Sequence, residues 1–226
     1  MRNDFLPPSV SCDLKKDIPT SKMKTESEIK FDKIIKDGFH KILKPLGFKK
    51  KSNNFYLQLD SIGQIINVQK SSFGNKDSIS FTINTGIFVR EYWLVFYNYN
   101  DKGLPDYPTE PECLIRKRIG KLRNQHDTWY EINDRTDEQQ LITEMRKNLI
   151  DFILPYFERL NNSEKVLQEL DSIDIPMTPL GKLIAYGEFK KFDKAKREYE
   201  LLLKNKANPN FLMTVKEYGQ RYGLDK

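Results

Sequence analysis

From Ile79 to Val89 the chain alternates between two kinds of side chain. Ile79, Phe81, Ile83, Ile87 and Val89 share one parity, and Ser80, Thr82 and Asn84 share the other. Successive side chains of a strand point to opposite faces, so this segment reads as a strand with one oily and one neutral polar face. Such a strand belongs to an antiparallel sheet, packed on one side and available on the other. The pattern constrains architecture strongly and names no chemistry.

Around this strand the chain orders itself as helix, strands, helices. Phe31, Ile34, Ile35, Phe39, Ile42, Leu43 and Leu46 mark one helical face, with Ser27 as its expected start and Pro45 and Gly47 as its stop. Short strands follow at Phe48–Lys51, Phe55–Leu59 and Gln64–Lys70, separated by turns at Asn53–Asn54 and Asp60–Gly63. In the last of these, Ile66 and Val68 alternate with Asn67 and Gln69. Connections this short favour an antiparallel meander. Glu91–Tyr97 reads as a further buried strand or a strand-loop, Asn98–Glu112 as a long loop, and Leu114–Leu122 and Thr128–Ile132 as short edge strands. Leu141, Met145, Leu149, Phe152, Ile153 and Tyr156 predict a long amphipathic helix that Pro155 should kink or end. Further on, Thr178-Pro179, Asp193 and Asn208-Pro209 look like starts of three more helices. The expected class is α+β: a meander packed on an N-terminal helix and a long later helix, followed by a C-terminal helical hairpin region. The expected division is a flexible arm over 1–26, an α+β domain over 27–161 and a helical region over 162–226.

Four short motifs in order, Leu43–Lys50 (LKPLGFKK), Phe55-Tyr56, Ile65–Ser71 (IINVQKS) and Phe81–Gly86 (FTINTG), resemble the bacterial family called domain of unknown function 4304. Arg118-Ile119-Gly120 ahead of Trp129 is similar to a later segment of that family. The resemblance covers roughly residues 27–160. It implies a small α+β domain and carries over no activity, cofactor or site residue.

Composition sets outer bounds. With 226 residues, 38% hydrophobic and 12% aromatic, the chain is rich enough in apolar groups to build a core. No apolar run is long enough to cross a bilayer, and Met1–Lys24 shows no secretory signal. Cys12 and Cys113 lack C-x-x-C neighbours and read as free thiols of a reducing cytosol. No cofactor and no metal site is expected.

The search for chemistry is short. His40 and His126 are isolated, and a lone histidine is a weak motif for acid–base work. No nucleophile elbow is present, and none of the eleven glycines forms a phosphate cradle. Asp174 with Glu188-Phe-Lys190 has the order of a metal-nuclease core, but that chemistry needs the triplet on a strand. Here it falls at a helix end, and Glu28-Ile-Lys30 repeats it by chance.

Two surfaces remain as candidate sites. The neutral polar groups Asn67, Gln69, Ser80, Thr82 and Asn84 could read a peptide or a small polar ligand if left open; covered, they must bond to one another. The basic groups Lys49, Lys50, Lys51 and Arg116, Arg118, Lys121, Arg123, with Tyr56, Trp129 or Tyr130 nearby, could hold a nucleic-acid backbone and stack bases. A third group, Lys190, Lys191, Lys194, Lys196 and Arg197, is diluted by acids like an ordinary solvated helix. The net charge of +6 comes from 38 basic residues interleaved with 32 acidic ones, so charge alone marks no footprint. The first expectation is therefore a cytosolic, non-enzymatic module whose α+β domain or helical tail binds another macromolecule, a protein. Nucleic-acid binding is the alternative, and a metal-dependent nuclease trails.

Overall fold

The structure is a computed structural model that describes residues 24–72, 77–97, 101, 103–172, 178–204 and 208–225. The expected N-terminal arm, with Cys12, lies almost wholly outside the described residues.

The first long helix covers 26–43 in three parts: α1 (Glu26–Ile34), a π-helical stretch over Ile35–His40, and α2 (Lys41–Leu43). Its start is Thr25 rather than Ser27. Thr25 accepts from the Glu28 N–H while the Glu28 carboxylate accepts from the Thr25 N–H, a reciprocal cap that satisfies two orphan donors. Ser27 is buried instead, and its hydroxyl donates to the Asp77 carbonyl at 2.7 Å, fastening the helix to the segment before the central strand.

Strands β1 (Lys49–Lys51), β2 (Asn54–Gln58), β3 (Ile62–Lys70) and β4 (Ile79–Val89) form an antiparallel meander. β3 begins earlier than its polar alternation suggests, because Gly63 belongs to it. The Tyr56 ring occupies the space a Cβ on Gly63 would need, 2.5 Å away, so the strand can pass there only without a side chain. Beyond β4 the sheet gains β5 (Ile115–Arg118), which pairs with residues 84–87, and β6 (Tyr130–Ile132), which pairs with residues 79–81 of the same edge. The order is β1-β2-β3-β4-β5, with β6 on β4.

The segment after β4 turns into a helix, α3 (Arg90–Phe96), where the sequence suggested a strand or a strand-loop. A short apolar run has no decisive period; tertiary packing decides, with Tyr92 and Trp93 buried and Phe96 stacked on Tyr92. The later edge-strand expectation holds for β5 and β6, but Ile119–Leu122 breaks away as a single helical turn, α4. A 3₁₀ turn at Glu110–Glu112 precedes β5.

The second long helix follows as α5 (Glu138–Asn148), a π turn at Leu149–Ile153, and α6 (Leu154–Arg159). Pro155 does not end it. The Leu154 N–H bonds to the Leu149 carbonyl, a π spacing immediately before the proline that lacks a donor. The helix is thus carried past Pro155 with its phase shifted. The C-terminal helices are α7 (Ser163–Ser172), α8 (Gly181–Glu188), α9 (Phe192–Lys204) and α10 (Pro209–Arg221). Asn208 caps α10 as expected, accepting from the Phe211 N–H at 2.9 Å. Thr178-Pro179 instead makes the turn before α8, its carbonyl at Thr178 accepting from Gly181, and Asp193 lies inside the first turn of α9.

The oily face of β4 is buried against both long helices. Phe81 meets Phe31 edge-on at 5.5 Å and Tyr130 at 5.3 Å. The two helices touch where a Cβ on Gly38 would stand 3.0 Å from the Met145 side chain. One apolar cluster runs continuously from Phe31 to Leu224, joining sheet and C-terminal helices. The opposite face is not simply available. Tyr56, Ile65, Phe88, Trp93 and Cys113 form a second apolar cluster there, with Tyr107 packed against it.

Phe81→Ala should therefore lower unfolding stability by about 3–5 kcal/mol in urea titration. Ile29→Ala, at a side chain 56% exposed, should stay within about 0.5 kcal/mol. Gly120→Ala should cost about 1–3 kcal/mol or more, because its Cβ would fall 2.1 Å from the His126 carbonyl oxygen.

Candidate functional site

A cleft of about 750 Å³ opens where β5 borders the sheet. One wall is β5 and α4, contributing Arg116, Lys117, Arg118 and Lys121, and the other is the end of the second long helix, contributing Phe152, Pro155, Tyr156 and Arg159. Five basic residues line it against two acidic ones, Asp127 and Asp151. Its size is that of a pocket for a small ligand or a few residues of peptide.

Most of these cations are already engaged. Arg116 makes a two-pronged pair with Glu110, Nε to Oε1 at 2.5 Å and an NH2 nitrogen to Oε2 at 2.8 Å, and Glu110 is only 4% exposed. That hydrogen bond, with the charge behind it, holds the Arg116 guanidinium more firmly protonated than usual. Lys117 pairs with Glu169 of α7 and lies over the Tyr156 ring at 5.1 Å. Arg118 pairs with Asp127 and covers the Trp129 ring at 5.7 Å, while Trp129 donates to the same carboxylate. Two cations are left with little to hold them. Lys121 is exposed and has no ion pair among the described residues. Arg159 is 64% exposed and reaches Glu169 only at 3.8 Å.

Beneath the cleft sits an orphan group. The Tyr156 hydroxyl is buried and has no hydrogen-bond partner among the described residues. Burial first, then the nearby Glu169 charge, pushes its ionisation well above the ordinary tyrosine range, so it stays a neutral donor.

The amide residues of the polar face come together as expected and turn on one another. Asn67 donates to Asn54 at 2.7 Å; Asn84 donates to Asn67 at 3.1 Å and to Gln69 at 2.8 Å. The Asn84 carbonyl oxygen accepts from Arg118 Nε at 3.2 Å. Thr82 is fully buried and donates to the Thr128 carbonyl, while Ser80 is half-buried opposite Glu131. The ladder thus runs across the sheet and ends on Arg118, which it aims toward the cleft. Sequence reading found these residues but not their connection to the basic strand, since register is a property of pairing.

The basic groups are not brought together. Lys49, Lys50 and Lys51 are exposed on β1, at the far edge of the sheet from β5. At the usual spacing of strands the two edges lie about 19 Å apart. Arg123 is engaged by Glu144, Asn148 and the Tyr130 hydroxyl and lies over the Phe152 ring at 6.0 Å. On the tail, Lys191 pairs with Glu164 and Lys194 with Asp171. Burial pushes Asp171 up, but hydrogen bonds from Lys194 and Tyr186 outweigh it and hold the carboxyl below its ordinary range.

Of the nuclease-like pattern only the Glu188–Lys190 part falls on described residues. Glu188 ends α8 and accepts from Arg221 at 3.1 Å and from the Tyr222 hydroxyl at 2.9 Å, and Asp174 lies outside the described residues. Among the described residues no group of three His, Cys, Asp or Glu side chains is placed to hold a metal ion. His40 stacks near Phe55 at 6.3 Å, and His126 is exposed with its carbonyl against Gly120.

A family model for a domain of unknown function, DUF4304, matches residues 39–159, which hold the meander, β5, α4 and the second long helix. The chain belongs to the DUF4304 family. Every residue lining the cleft lies within the matched segment. Comparison with curated proteins and with solved structures finds no match. Among the described residues no helix is long and apolar enough to cross a membrane.

Lys117, Tyr156 and Arg159 escaped sequence reading. Lys117 sat inside a basic run and Tyr156 on the apolar face of the long helix, while Arg159 carried no signal in the sequence. No spacing rule connects them to residues forty positions away.

Cys113 offers a direct check on burial. It is 2% exposed, and burial, then Glu110, push its thiol well above the ordinary 9.0. In a Cys12→Ser variant the remaining thiol should react with an alkylating reagent at pH 8 only after denaturant is added. The same groups set an alkaline limit. Cys113 has a folded value above 9.0, and burial pushes Tyr107 from 10.0 up to about 12. Their contribution to stability is complete below about pH 9 and is lost as pH rises toward 12, which urea titrations across that window would measure. Tyr156→Phe should leave stability unchanged or raise it by about 1 kcal/mol, because it removes a buried unsatisfied hydroxyl.

Proposed function

We propose that this DUF4304 protein is a cytosolic, non-enzymatic interaction module that holds another protein in the cleft between β5 and the second long helix. The observation that carries the reading is the state of the cleft's charges. Internal carboxylates pair Arg116, Lys117 and Arg118, leaving Lys121 and Arg159 as cations without a firm partner in a concave, partly apolar site. A concave site with a few convergent unpaired charges is the ordinary form of a recognition surface.

Nucleic-acid binding through Lys49, Lys50, Lys51, Arg116, Arg118, Lys121 and Arg123 is the second reading, favoured by the exposed Trp129 under Arg118. Separation of the two basic groups on opposite edges weighs against it, because a phosphate backbone needs a continuous track.

The test is photocrosslinking in the native cell. A crosslinking side chain at Asn124, on the cleft rim, should capture a discrete protein, and one at Lys50 on the far edge should not. Adding Lys121→Glu and Arg159→Glu should reduce capture at Asn124 about tenfold or more. Capture that survives both reversals would end the proposal. For the second reading, binding to mixed RNA and DNA should be strong at low salt and fall steeply by moderate salt.

A further inference from the structure

We infer that the partner segment held in this cleft is an extended acidic stretch of polypeptide that adds to β5 as a further antiparallel or parallel strand. The inference rests on the cleft reading above and names the chemistry of its occupant.

Arg116, Lys117 and Arg118 are consecutive strand residues whose side chains alternate between the two faces of the sheet, yet all three border the cleft. A cavity can border three consecutive residues of a strand only by running along its edge. β5 is the last strand of the sheet, with β4 on its inner side. Alternate N–H and C=O groups along its outer side therefore meet no further strand among the described residues, although the carbonyl of Arg118, the N-cap of α4, is used by that helix. Proteins usually protect such an edge with charge, proline, a bulge or a covering element. The other edge, β1, consists of three exposed lysines and is protected in that way. On β5 the charged side chains are neutralised by carboxylates instead, Arg116 by Glu110, Lys117 by Glu169 and Arg118 by Asp127, the last pair itself lining the cleft. The outer edge of β5 thus has no strand beside it among the described residues, its charges are met from within the chain, and the cleft borders it.

Charge selects the occupant. Lys121 on one wall and Arg159 on the other are the cations with spare capacity, and Phe152, Pro155 and Tyr156 supply an apolar floor. A strand added here would present side chains alternately, so acidic residues alternating with apolar ones match the walls and the floor. Asp127 and Asp151 also line the cleft. They place negative charge along any continuous phosphate chain, whereas a peptide with a few spaced carboxylates can avoid them. The edge is four residues long, so about four to five residues of partner, roughly 15 Å, pair with it.

The experiment uses the full chain and a synthetic heptapeptide, Glu-Val-Glu-Ile-Glu-Val-Glu, blocked at both ends. Two further copies are N-methylated at the odd or at the even residues. Only alternate N–H groups of an added strand face its neighbour. The parent should therefore bind by calorimetry, and one methylated copy should lose about tenfold or more while the other retains affinity. Amide exchange at Ile115–Arg118 should slow on binding, and Lys121→Glu with Arg159→Glu should weaken it. If both methylated copies bind like the parent while the charge reversals still weaken binding, the cleft takes an acidic segment without strand addition. The inference is then overturned and the reading above stands. Absence of peptide binding up to about 1 mM overturns the inference as well. Binding of an oligothymidylate at the same site, lost in the charge reversals, with no peptide binding, overturns both.

Discussion

The structure hangs on β4. Its eleven residues bond along one edge to β3 and along the other to β5 and β6 in succession, so a single strand carries the register of the whole sheet. Because β5 and β6 share one edge, neither can extend far. The chain leaves β5 at Arg118, turns through α4 past His126, and returns as β6 at Tyr130. That sharing keeps β5 short and leaves its outer side to the cleft. Phe81, clasped between Phe31 and Tyr130, ties this edge arrangement to the first helix.

The second controlling element is helical phase. Both long helices contain a π stretch, and each stretch solves a local problem. In the first, Gly38 lets the helix approach the Met145 side chain closely. In the second, the wide turn at Leu149–Ile153 accommodates Pro155. An additional residue in a turn rotates everything after it by about 100° around the axis. The π turn thus helps determine that Tyr156 and Arg159 reach the β5 side. A feature absorbed into packing also shapes the site.

Charge in this protein is mostly local bookkeeping between neighbours. Arg116 with Glu110, Lys117 with Glu169, and Arg118 with Asp127 and Asn84 are cross-links between the sheet edge, the loop before it and α7. Counting basic residues along the chain could not distinguish these from free ones, because chain order does not say which carboxylate arrives: Glu110 and Asp127 are near in sequence, whereas Glu169 lies on α7, 52 residues from Lys117. The amide ladder behaves likewise: Asn54, Asn67, Asn84 and Gln69 satisfy one another before reaching Arg118.

Local pattern alone determined the strand Ile79–Val89, the meander before it, the amphipathic faces of both long helices and the family motifs. These are legible because backbone periodicity writes itself in nearest neighbours. The same reading took Glu91–Tyr97 for a strand or strand-loop where the helix Arg90–Phe96 stands, since an apolar run of that length fits either periodicity until packing around Tyr92 and Trp93 chooses. Tertiary structure alone decided that one half of the supposedly open face is buried under Trp93 and Tyr107, that the basic groups lie on opposite edges, and that a cleft exists. Each of these depends on which distant carboxylate, ring or strand edge arrives alongside, and pairing across the chain leaves no period for the sequence to display.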